Sequence, residues 1–271
     1  MSKTYTVSSN TDDGMGNKKG TLSYGLSSMN NYTYITFSVS EVTLSGQITV
    51  SVTNDVTVYG GSGVTIIAGS YLTNSYLIND NISPTSTPIP TVTFQNITFN
   101  GTPTNTSVAV DGGINVNNGN YKLENCTIKD CKGGNGSNGG AGGVNTNNGG
   151  AVTLTNCTIS GCKGGNGGIG GAGGYGGAGG VNIIISGIYI IINCTISGCT
   201  GGSGNTPGTG AADGIFLDNP RNSNILTIGN TIVSNNGTTI IRINTTSTTI
   251  TTTNNTITTI TTFATANRAI C

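Results

Sequence analysis

Three heptads in the middle of the chain decide the fold: Asn125-Cys126-Thr127-Ile128-Lys129-Asp130-Cys131, Asn156-Cys157-Thr158-Ile159-Ser160-Gly161-Cys162 and Asn193-Cys194-Thr195-Ile196-Ser197-Gly198-Cys199. They align without gaps, and weaker copies without cysteine begin at Asn96, Asn230 and Asn255. The spacing between consecutive copies varies from 25 to 37 residues. A repeat that varies in length around a fixed segment is typical of a solenoid whose circuits carry loop insertions.

The asparagine that opens each heptad is expected to form a corner. An alternating strand, Ala151-Val152-Thr153-Leu154-Thr155, precedes the second heptad. If Leu154 points inward, strict alternation would turn Ile159 outward. A bend at Asn156 resolves this conflict, because asparagine tolerates the left-handed backbone that a short bend needs. The alternative, an asparagine that merely fills a loop, explains its recurrence less well. We therefore predict stacked corners at Asn125, Asn156 and Asn193 and an inward column of Ile128, Ile159 and Ile196.

The six heptad cysteines are the most specific feature of the sequence. Stacking would set them about 4.8 Å apart in two columns, one of Cys126, Cys157 and Cys194, the other of Cys131, Cys162 and Cys199. Buried thiols are the simplest interpretation, whereas a disulfide within each pair is expected if the protein is extracellular. Metal binding is a third alternative, but zinc sites prefer closer pairs with histidine, and the chain has no histidine.

Glycine-rich stretches separate the heptads, from Gly133 to Gly143 and from Gly164 to Gly180. They contain few apolar side chains to fill a core, so we expect them to leave the solenoid at one corner and return. A phosphate-binding role is not indicated, because the glycines are not followed by the Gly-Lys-Ser/Thr ending of such loops.

Composition and charge restrict the partners. Ten basic residues balance ten acidic ones in a chain of 271 residues, so nucleic acid is not an expected partner, since phosphate binding needs a basic surface. No stretch approaches 18 consecutive apolar residues, so we expect no membrane insertion, and the first residues lack the apolar region of a secretory signal. A neutral surface also has little self-repulsion, which favours self-association.

Two regions carry a family resemblance. The repeat Gly149-Gly150-Ala151-Val152-Thr153-Leu154-Thr155-Asn156-Cys157-Thr158-Ile159-Ser160-Gly161 and the opening Tyr5-Thr6-Val7 with Gly20-Thr21-Leu22-Ser23-Tyr24-Gly25-Leu26 resemble the polymorphic outer membrane proteins and related pectate-lyase-like adhesins. The resemblance implies one all-β domain over residues 1–271, a single-stranded right-handed parallel β-helix. A cap and first coils over 1–50, a short capping helix near Thr21 to Met29, and repeat coils over 91–260 are expected within it.

Catalysis is not expected from these residues. Polysaccharide lyases and hydrolases of this fold need clustered carboxylates, and no column of acids emerges from Asp111, Glu124, Asp130, Asp213 and Asp218. A weak site candidate is Asp213 with Asp218 and Arg221. No cofactor and no metal is predicted, because histidine, the commonest general base and metal ligand, is absent.

The sequence therefore predicts a non-catalytic scaffold of a fibre, a cell surface or a virus particle, which presents its glycine-rich loops and associates with itself or with other structural proteins. The main alternative is a carbohydrate-binding adhesin or polysaccharide depolymerase, for which Tyr71, Tyr76 and Tyr121 are the aromatic candidates. A lesser alternative is ice binding by the threonine-rich end, Thr245 to Thr262.

Overall fold

A computed structural model describes residues 3–69, 72, 76–101, 112–134, 140–147, 150–167, 178–184, 187–203, 213–218, 224–234, 241–244, 248–253, 255–257 and 260–262. These residues form one short helix, α1 (Leu22–Gly25), and the following strands: β1 (Thr4–Val7), β2 (Thr11–Asp12), β3 (Tyr34–Phe37), β4 (Glu41–Leu44), β5 (Ile48–Val50), β6 (Val56–Ala68), β7 (Ile78–Asp80), β8 (Thr91–Asn100), β9 (Ile114–Val116), β10 (Asn120–Glu124), β11 (Thr127–Lys129), β12 (Val144–Thr146), β13 (Ala151–Thr155), β14 (Thr158–Ser160), β15 (Val181–Ile183), β16 (Ile188–Ile192), β17 (Thr195–Ser197), β18 (Ile215–Asp218), β19 (Asn224–Gly229), β20 (Ile232–Ser234), β21 (Ile241–Asn244), β22 (Thr248–Thr253), β23 (Thr256–Ile257) and β24 (Ile260–Thr262).

The strands stack in three ladders, and every described strand pair is parallel. The first ladder contains β8, β10, β13, β16, β19 and β22, and the second contains β8, β11, β14, β17, β20 and β23. The long strands β6 and β8 belong to both, so these two ladders form one curled sheet. The third ladder is a separate sheet of β5, β7, β9, β12, β15, β18, β21 and β24. The all-β, parallel architecture predicted from the sequence is confirmed.

A left-handed residue joins the first ladder to the second in successive circuits. The backbone φ is +57° at Asn96, +54° at Asn125, Asn156 and Asn193, and +47° at Asn230. Asparagine adopts this conformation more readily than most residues because its short polar side chain bonds locally. The bend lets the strands on both sides of it direct apolar side chains toward the same interior, as the corner interpretation expects.

The core consists of rows of side chains at equal positions in the ladders. Ile128, Ile159 and Ile196 are paired in register along the second ladder, and all three are fully buried. In the first ladder a row of Val92, Tyr121, Val152, Tyr189 and Leu226 lies beside it, also buried. The isoleucine column stacks identical side chains, whereas this row alternates small valines with large tyrosines.

The glycine-rich stretches are partly built into this core, so the expectation that they leave it is wrong at their ends. Gly142 and Gly143 donate hydrogen bonds to Ala178 and Gly179, and Val144 donates to Gly180, over 2.8 to 3.0 Å. A Cβ atom on Gly143 would collide with the Gly180 carbonyl oxygen, and one on Gly180 would collide with that of Gly214. Glycine is required here because neighbouring backbones approach too closely for any side chain. Residues 135–139 and 168–177 lie outside the described part of the chain.

The N-terminal cap is organised by one buried carboxylate. Asp12 accepts hydrogen bonds from the backbone N–H and the hydroxyl of Ser23 at 2.8 and 2.6 Å, and from the N–H of Gly14 at 2.9 Å. Thr21 provides the N-cap of α1, which is shorter than the helix expected near Thr21 to Met29. No helix in the described residues is long and apolar enough to cross a bilayer.

A charge in the isoleucine column should unfold the protein. Ile159→Asp places an unpaired carboxylate in a fully buried position, and we expect a loss of roughly 4 kcal/mol or more in the free energy of unfolding. Ser160→Asp is the matched control, because Ser160 is the next residue on the same strand and is only half-buried. Chemical denaturation followed by circular dichroism measures both, and equal losses in the two variants would contradict the inward column.

Candidate functional site

The heptad cysteines form the predicted columns and are free thiols. All six are buried, each at most 2% exposed, and none is in a disulfide. Each sulfur of the first column donates to the carbonyl two residues earlier and to a carbonyl of the preceding circuit: Cys157 reaches Leu123 at 3.3 Å, and Cys194 reaches Leu154 at 3.5 Å. The thiols therefore satisfy backbone carbonyls where the strand direction changes.

A threonine continues this column where the heptad loses its cysteine. The Thr231 hydroxyl donates to the carbonyls of Gly229 at 2.9 Å and Ile191 at 3.3 Å, the same two relative positions that Cys194 uses. The N–H of Cys194 donates to the Thr231 oxygen, as the N–H of Cys157 donates to the Cys194 sulfur. The position therefore selects a small side chain with one donor, and sulfur is not chemically required there.

Four of the thiols in the two columns have a raised pKa, which favours their neutral form. Hydrogen bonding between neighbouring thiols, with burial, raises the pKa of Cys157 to about 12 and raises the pKa values of Cys162, Cys194 and Cys199. At Cys126 the hydrogen bond from Cys157 has the opposite effect and lowers the pKa. Metal ligation and nucleophilic chemistry both need thiolates. Within the described ranges, no three metal-ligating side chains gather into a possible metal site.

A buried ladder of asparagines runs along the third ladder of strands. The amide of Asn115 donates to Asn79 at 2.8 Å, Asn145 to Asn115 at 2.9 Å and Asn182 to Asn145 at 2.8 Å. At the stacked corners, the side-chain amide of Asn156 also donates to Asn125 at 3.2 Å. The buried ladder was not predicted from the sequence. Its signal is a repeated pattern of two glycines, an apolar residue and an asparagine, present in Gly112-Gly113-Ile114-Asn115-Val116, Gly142-Gly143-Val144-Asn145-Thr146 and Gly179-Gly180-Val181-Asn182-Ile183.

Asp80 is a fully buried carboxylate held by backbone donors. Its oxygens accept from the N–H groups of Asn117, Asn118 and Gly119 at 2.7 to 2.9 Å and from that of Ile82 at 2.9 Å. The Tyr121 hydroxyl faces this carboxylate without a well-aligned hydrogen bond, and burial together with the nearby charge raises the pKa of Tyr121. Successive N–H groups that surround an anion form a nest, and here the protein's own side chain fills it.

The weak site candidate is only partly described. Asp213 is buried, and its Oδ1 accepts from the N–H of Gly201 at 2.7 Å. Asp218 ends β18, but its side chain and all of Arg221 lie outside the described residues, as does Asp111. Elsewhere, Glu124 accepts from Gln95 at 2.7 Å, and Asp130 occupies a left-handed turn position with φ of +55°. Asp213 thus holds a backbone N–H of its own circuit, 12 residues earlier in the chain.

The aromatic candidates for carbohydrate binding are corrected by the structure. Tyr76 and Tyr121 are buried, because Tyr121 lies on the inward side of β10 with Leu123, and Tyr71 lies outside the described residues. Two other tyrosines, Tyr34 and Tyr59, are half-buried on the outer face of the first ladder, with ring centroids 6.2 Å apart and planes inclined by 31°.

A shallow depression of about 380 Å³ lies beside this tyrosine pair. Its polar lining consists of Thr33, Asp55, Thr57, Thr91, Thr93 and Lys122. The register places Thr57, Thr93 and Lys122 in one row on three consecutive strands, with Tyr34 paired to Thr57. Most of its lining lies on β6, β8 and β10, whereas Thr33 and Asp55 lie just before β3 and β6.

Farther along the same outer face, isoleucines replace these polar residues. We define the isoleucine patch as Ile188, Ile190, Ile192 and Ile225, on the adjacent strands β16 and β19. Ile188 and Ile225 pair in register and are 49% and 47% exposed. They are the two most exposed isoleucines among the described residues.

The threonine-rich end adds no described surface for ice binding. The backbones of β22, β23 and β24 lie in the ladders, but apart from Thr251 the side chains of these strands lie outside the described residues. A row of Thr65, Thr98, Thr127, Thr158 and Thr195 lies instead on the outer face of the second ladder. Its neighbouring row includes Asn100 and Lys129, so the face is not a uniform hydroxyl array.

No protein-family model, curated protein or solved structure matches the chain.

Threonine should replace cysteine in the first column at little cost. We expect Cys194→Thr to keep nearly full stability, because Thr231 already makes the same bonds. Cys194→Val has the same shape without a donor and should lose about 1 kcal/mol in the free energy of unfolding. Chemical denaturation of the two variants measures the difference, and identical stabilities would contradict a hydrogen-bonding role for the column.

Alkaline pH should destabilise the protein through the thiols. Because most thiol pKa values are raised above the unfolded value near 8.5, their contribution is complete below that pH. It is lost as the pH rises toward the folded values, at up to about 1.4 kcal/mol per pH unit for each thiol that stays neutral. Denaturant midpoints from pH 7 to 10 measure this, and Cys157→Thr combined with Cys194→Thr should flatten the curve. An equally steep decline in that variant would assign the effect to other groups.

Proposed function

We propose that the protein is a non-catalytic scaffold, a single-stranded right-handed parallel β-helix that assembles through its isoleucine patch. The handedness is favoured because crossovers between parallel strands of one sheet are right-handed in nearly all proteins. The three ladders, visited in the same order by successive circuits, support the solenoid. A fibre, a cell surface or a virus particle is the proposed setting, in keeping with the resemblance to surface adhesins.

The observation that carries this proposal is that the chemically versatile side chains are bound in the framework. The six thiols donate to carbonyls or to one another, and the carboxylates of Asp12, Asp80 and Asp213 accept backbone N–H groups. A general base or nucleophile must reach a substrate proton or carbon, whereas these groups point into the stacked circuits. The bonds of the thiols and of Asp80 to neighbouring circuits instead stiffen the stack, and those of Asp12 and Asp213 fix the local backbone.

The isoleucine patch supports assembly as the role of this framework. Ile190 and Ile192 are half-buried beside the more exposed Ile188 and Ile225, and the adjacent strand contributes the uncharged Thr153 and Thr155. Burial of such a surface is favourable at roughly 25 cal/mol per Å² of apolar area. Because ten basic residues balance ten acidic ones, two copies meet little electrostatic repulsion. We therefore propose a second copy of the chain as the partner.

Charges in the isoleucine patch should dissociate the assembly. Ile188→Lys combined with Ile225→Lys is expected to weaken self-association at least tenfold, about 1.4 kcal/mol, because the lysines would repel across the contact and lose hydration. Sedimentation velocity over a range of concentrations measures this. Thr158→Lys combined with Thr195→Lys is the matched control, with the same charge on the outer face of the second ladder.

Two results would contradict the proposal. If the wild-type protein stays monomeric at every accessible concentration, assembly through the isoleucine patch is excluded. Incubation with acidic and neutral polysaccharides, with and without calcium, is expected to release no new reducing or unsaturated ends. Release that Asp213→Asn or Asp218→Asn abolishes would show an enzyme instead.

A further inference from the structure

We infer that each cysteine column is a reversible disulfide site, which joins two adjacent circuits when the chain meets a disulfide oxidant and keeps its third cysteine as a thiol. The inference goes beyond the scaffold proposal, because assembly through the isoleucine patch does not depend on the state of the thiols. It is argued from the excess of sulfur in the columns, from the register of the circuits and from the number of cysteines in each column.

The first column contains more sulfur than its hydrogen bonds require. Thr231 occupies the next place in that column and donates to the same two relative carbonyls as Cys194, so a hydroxyl meets the bonding requirement. Cysteine nevertheless occupies the equivalent place in three adjacent circuits, and it does so in both columns. What adjacent cysteines provide, and a threonine does not, is a neighbour with which the sulfur can form a covalent bond.

The register brings the cysteines of one column to disulfide distance. Thr127, Thr158 and Thr195 pair across β11, β14 and β17, so the cysteines that precede them stack in the same order. Neighbouring strands lie about 4.8 Å apart, within the roughly 4.4–6.8 Å that separates the Cα atoms of a disulfide. The N–H of Cys157 lies 3.4 Å from the Cys194 sulfur, and neighbouring thiols of both columns are hydrogen-bonded to each other.

The two cysteines of one heptad cannot pair in the folded chain. Cys126 and Cys131 lie on opposite sides of β11, whose extended backbone separates their Cα atoms by roughly 10 Å or more. Two cysteines more than about 7 Å apart cannot be bridged without movement of the backbone. The fold therefore directs a disulfide along a column, and the pairing within each heptad that an extracellular setting suggested from the sequence is not the one that it permits.

Each column offers three cysteines because other residues occupy the neighbouring places. Ile97 and Thr231 flank the first column, and Gly101 precedes the second. Two of three sulfurs make one disulfide, so one thiol is left beside it. That thiol can attack the nearer sulfur of the disulfide and release the farther one as a thiolate. The bond then moves by one circuit without any net oxidation.

Formation of the bond needs an oxidant that is itself a disulfide, such as oxidised glutathione. A column thiolate attacks this oxidant, forms a mixed disulfide and releases one glutathione. The neighbouring thiolate then attacks the column sulfur and releases the second glutathione, so two electrons and two protons pass from the column to the oxidant. Cys126 suits the first step, because the hydrogen bond from Cys157 lowers its pKa and the thiolate is the nucleophile. Since the sulfurs are buried, the mixed disulfide forms before the circuits close, during folding.

Refolding of the full chain in a glutathione redox buffer tests the inference. The chain carries Cys271→Ser, so that the seventh cysteine takes no part. After denaturation and refolding, circular dichroism checks the fold and a thiol reagent counts the free cysteines in denaturant. We expect six free thiols to fall to two, since one disulfide in each column uses four. The denaturant midpoint should rise, because the cross-links restrict the unfolded chain, and dithiothreitol should reverse the rise.

Trypsin distinguishes the two kinds of pairing, because Lys129 lies between Cys126 and Cys131. A disulfide between circuits joins Cys126 to the peptide that ends at Lys163. A disulfide within the heptad joins it only to the tripeptide Asp130-Cys131-Lys132. Mass spectrometry of the non-reduced digest identifies the product, and we expect the first one.

Cys194→Thr and Cys157→Thr are matched variants, because Thr231 shows that threonine fits the first column. Cys194→Thr leaves Cys126 and Cys157 adjacent, so both columns close and one free thiol is expected after oxidation. Cys157→Thr leaves its neighbours two strand spacings apart, roughly 10 Å, so the first column stays open and three free thiols are expected. The two variants have the same number of cysteines and differ only in their adjacency.

Three results would overturn the inference: a refolded protein that keeps all six thiols, a disulfide within a heptad, or equal thiol counts in the two variants. None of them bears on assembly, because sedimentation of the reduced protein tests the isoleucine patch separately.

Discussion

The left-handed asparagine between the first and second ladders is the constraint on which the rest of the structure depends. Alternation along a straight strand would send Ile159 outward if Leu154 points inward. The bend at Asn156 changes this parity, so both side chains reach one interior. Most L-residues disfavour the required backbone by about 1–2 kcal/mol, which explains why asparagine recurs at this position in the described circuits. Only when each circuit bends at the same place do the ladders remain in register.

Much of this framework could be predicted, because the corner residue of each heptad fixes which of the following side chains point inward. Asn156, Cys157 and Ile159 occupy the expected positions, since their roles depend on local geometry alone. The buried asparagines of the third ladder were harder to predict. Asn145 lies between Val144 and Thr146, both inward, and alternation would place it in solvent. Its burial depends on covering residues that are distant in sequence, such as Tyr76, whose hydroxyl it contacts at 3.2 Å.

The candidate site was predicted less well, because it too depends on residues that are distant in sequence. Tyr121 shares its parity with Leu123 and therefore lies inside, which the alternation of β10 already indicated. Tyr34 and Tyr59 are 25 residues apart in sequence, and only the register of β3 and β6 makes them neighbours. The packing of aromatic side chains on an outer face depends on which circuits are adjacent. A single sequence read along the chain does not contain that information until the pairing is known.

Two long-range bonds matter for the order in which similar circuits stack. Three nearly identical heptads would allow a growing stack to omit a circuit with little loss of local pairing. The bond from Asn145 to Tyr76 spans 69 residues, and the bond from Thr146 to Tyr189 joins different ladders across the interior. Each bond is lost if a circuit that it spans is skipped, so that misassembled stack would retain buried polar groups without partners. These unlike pairs therefore serve as markers of circuit identity, which a repeat made wholly of identical units would lack.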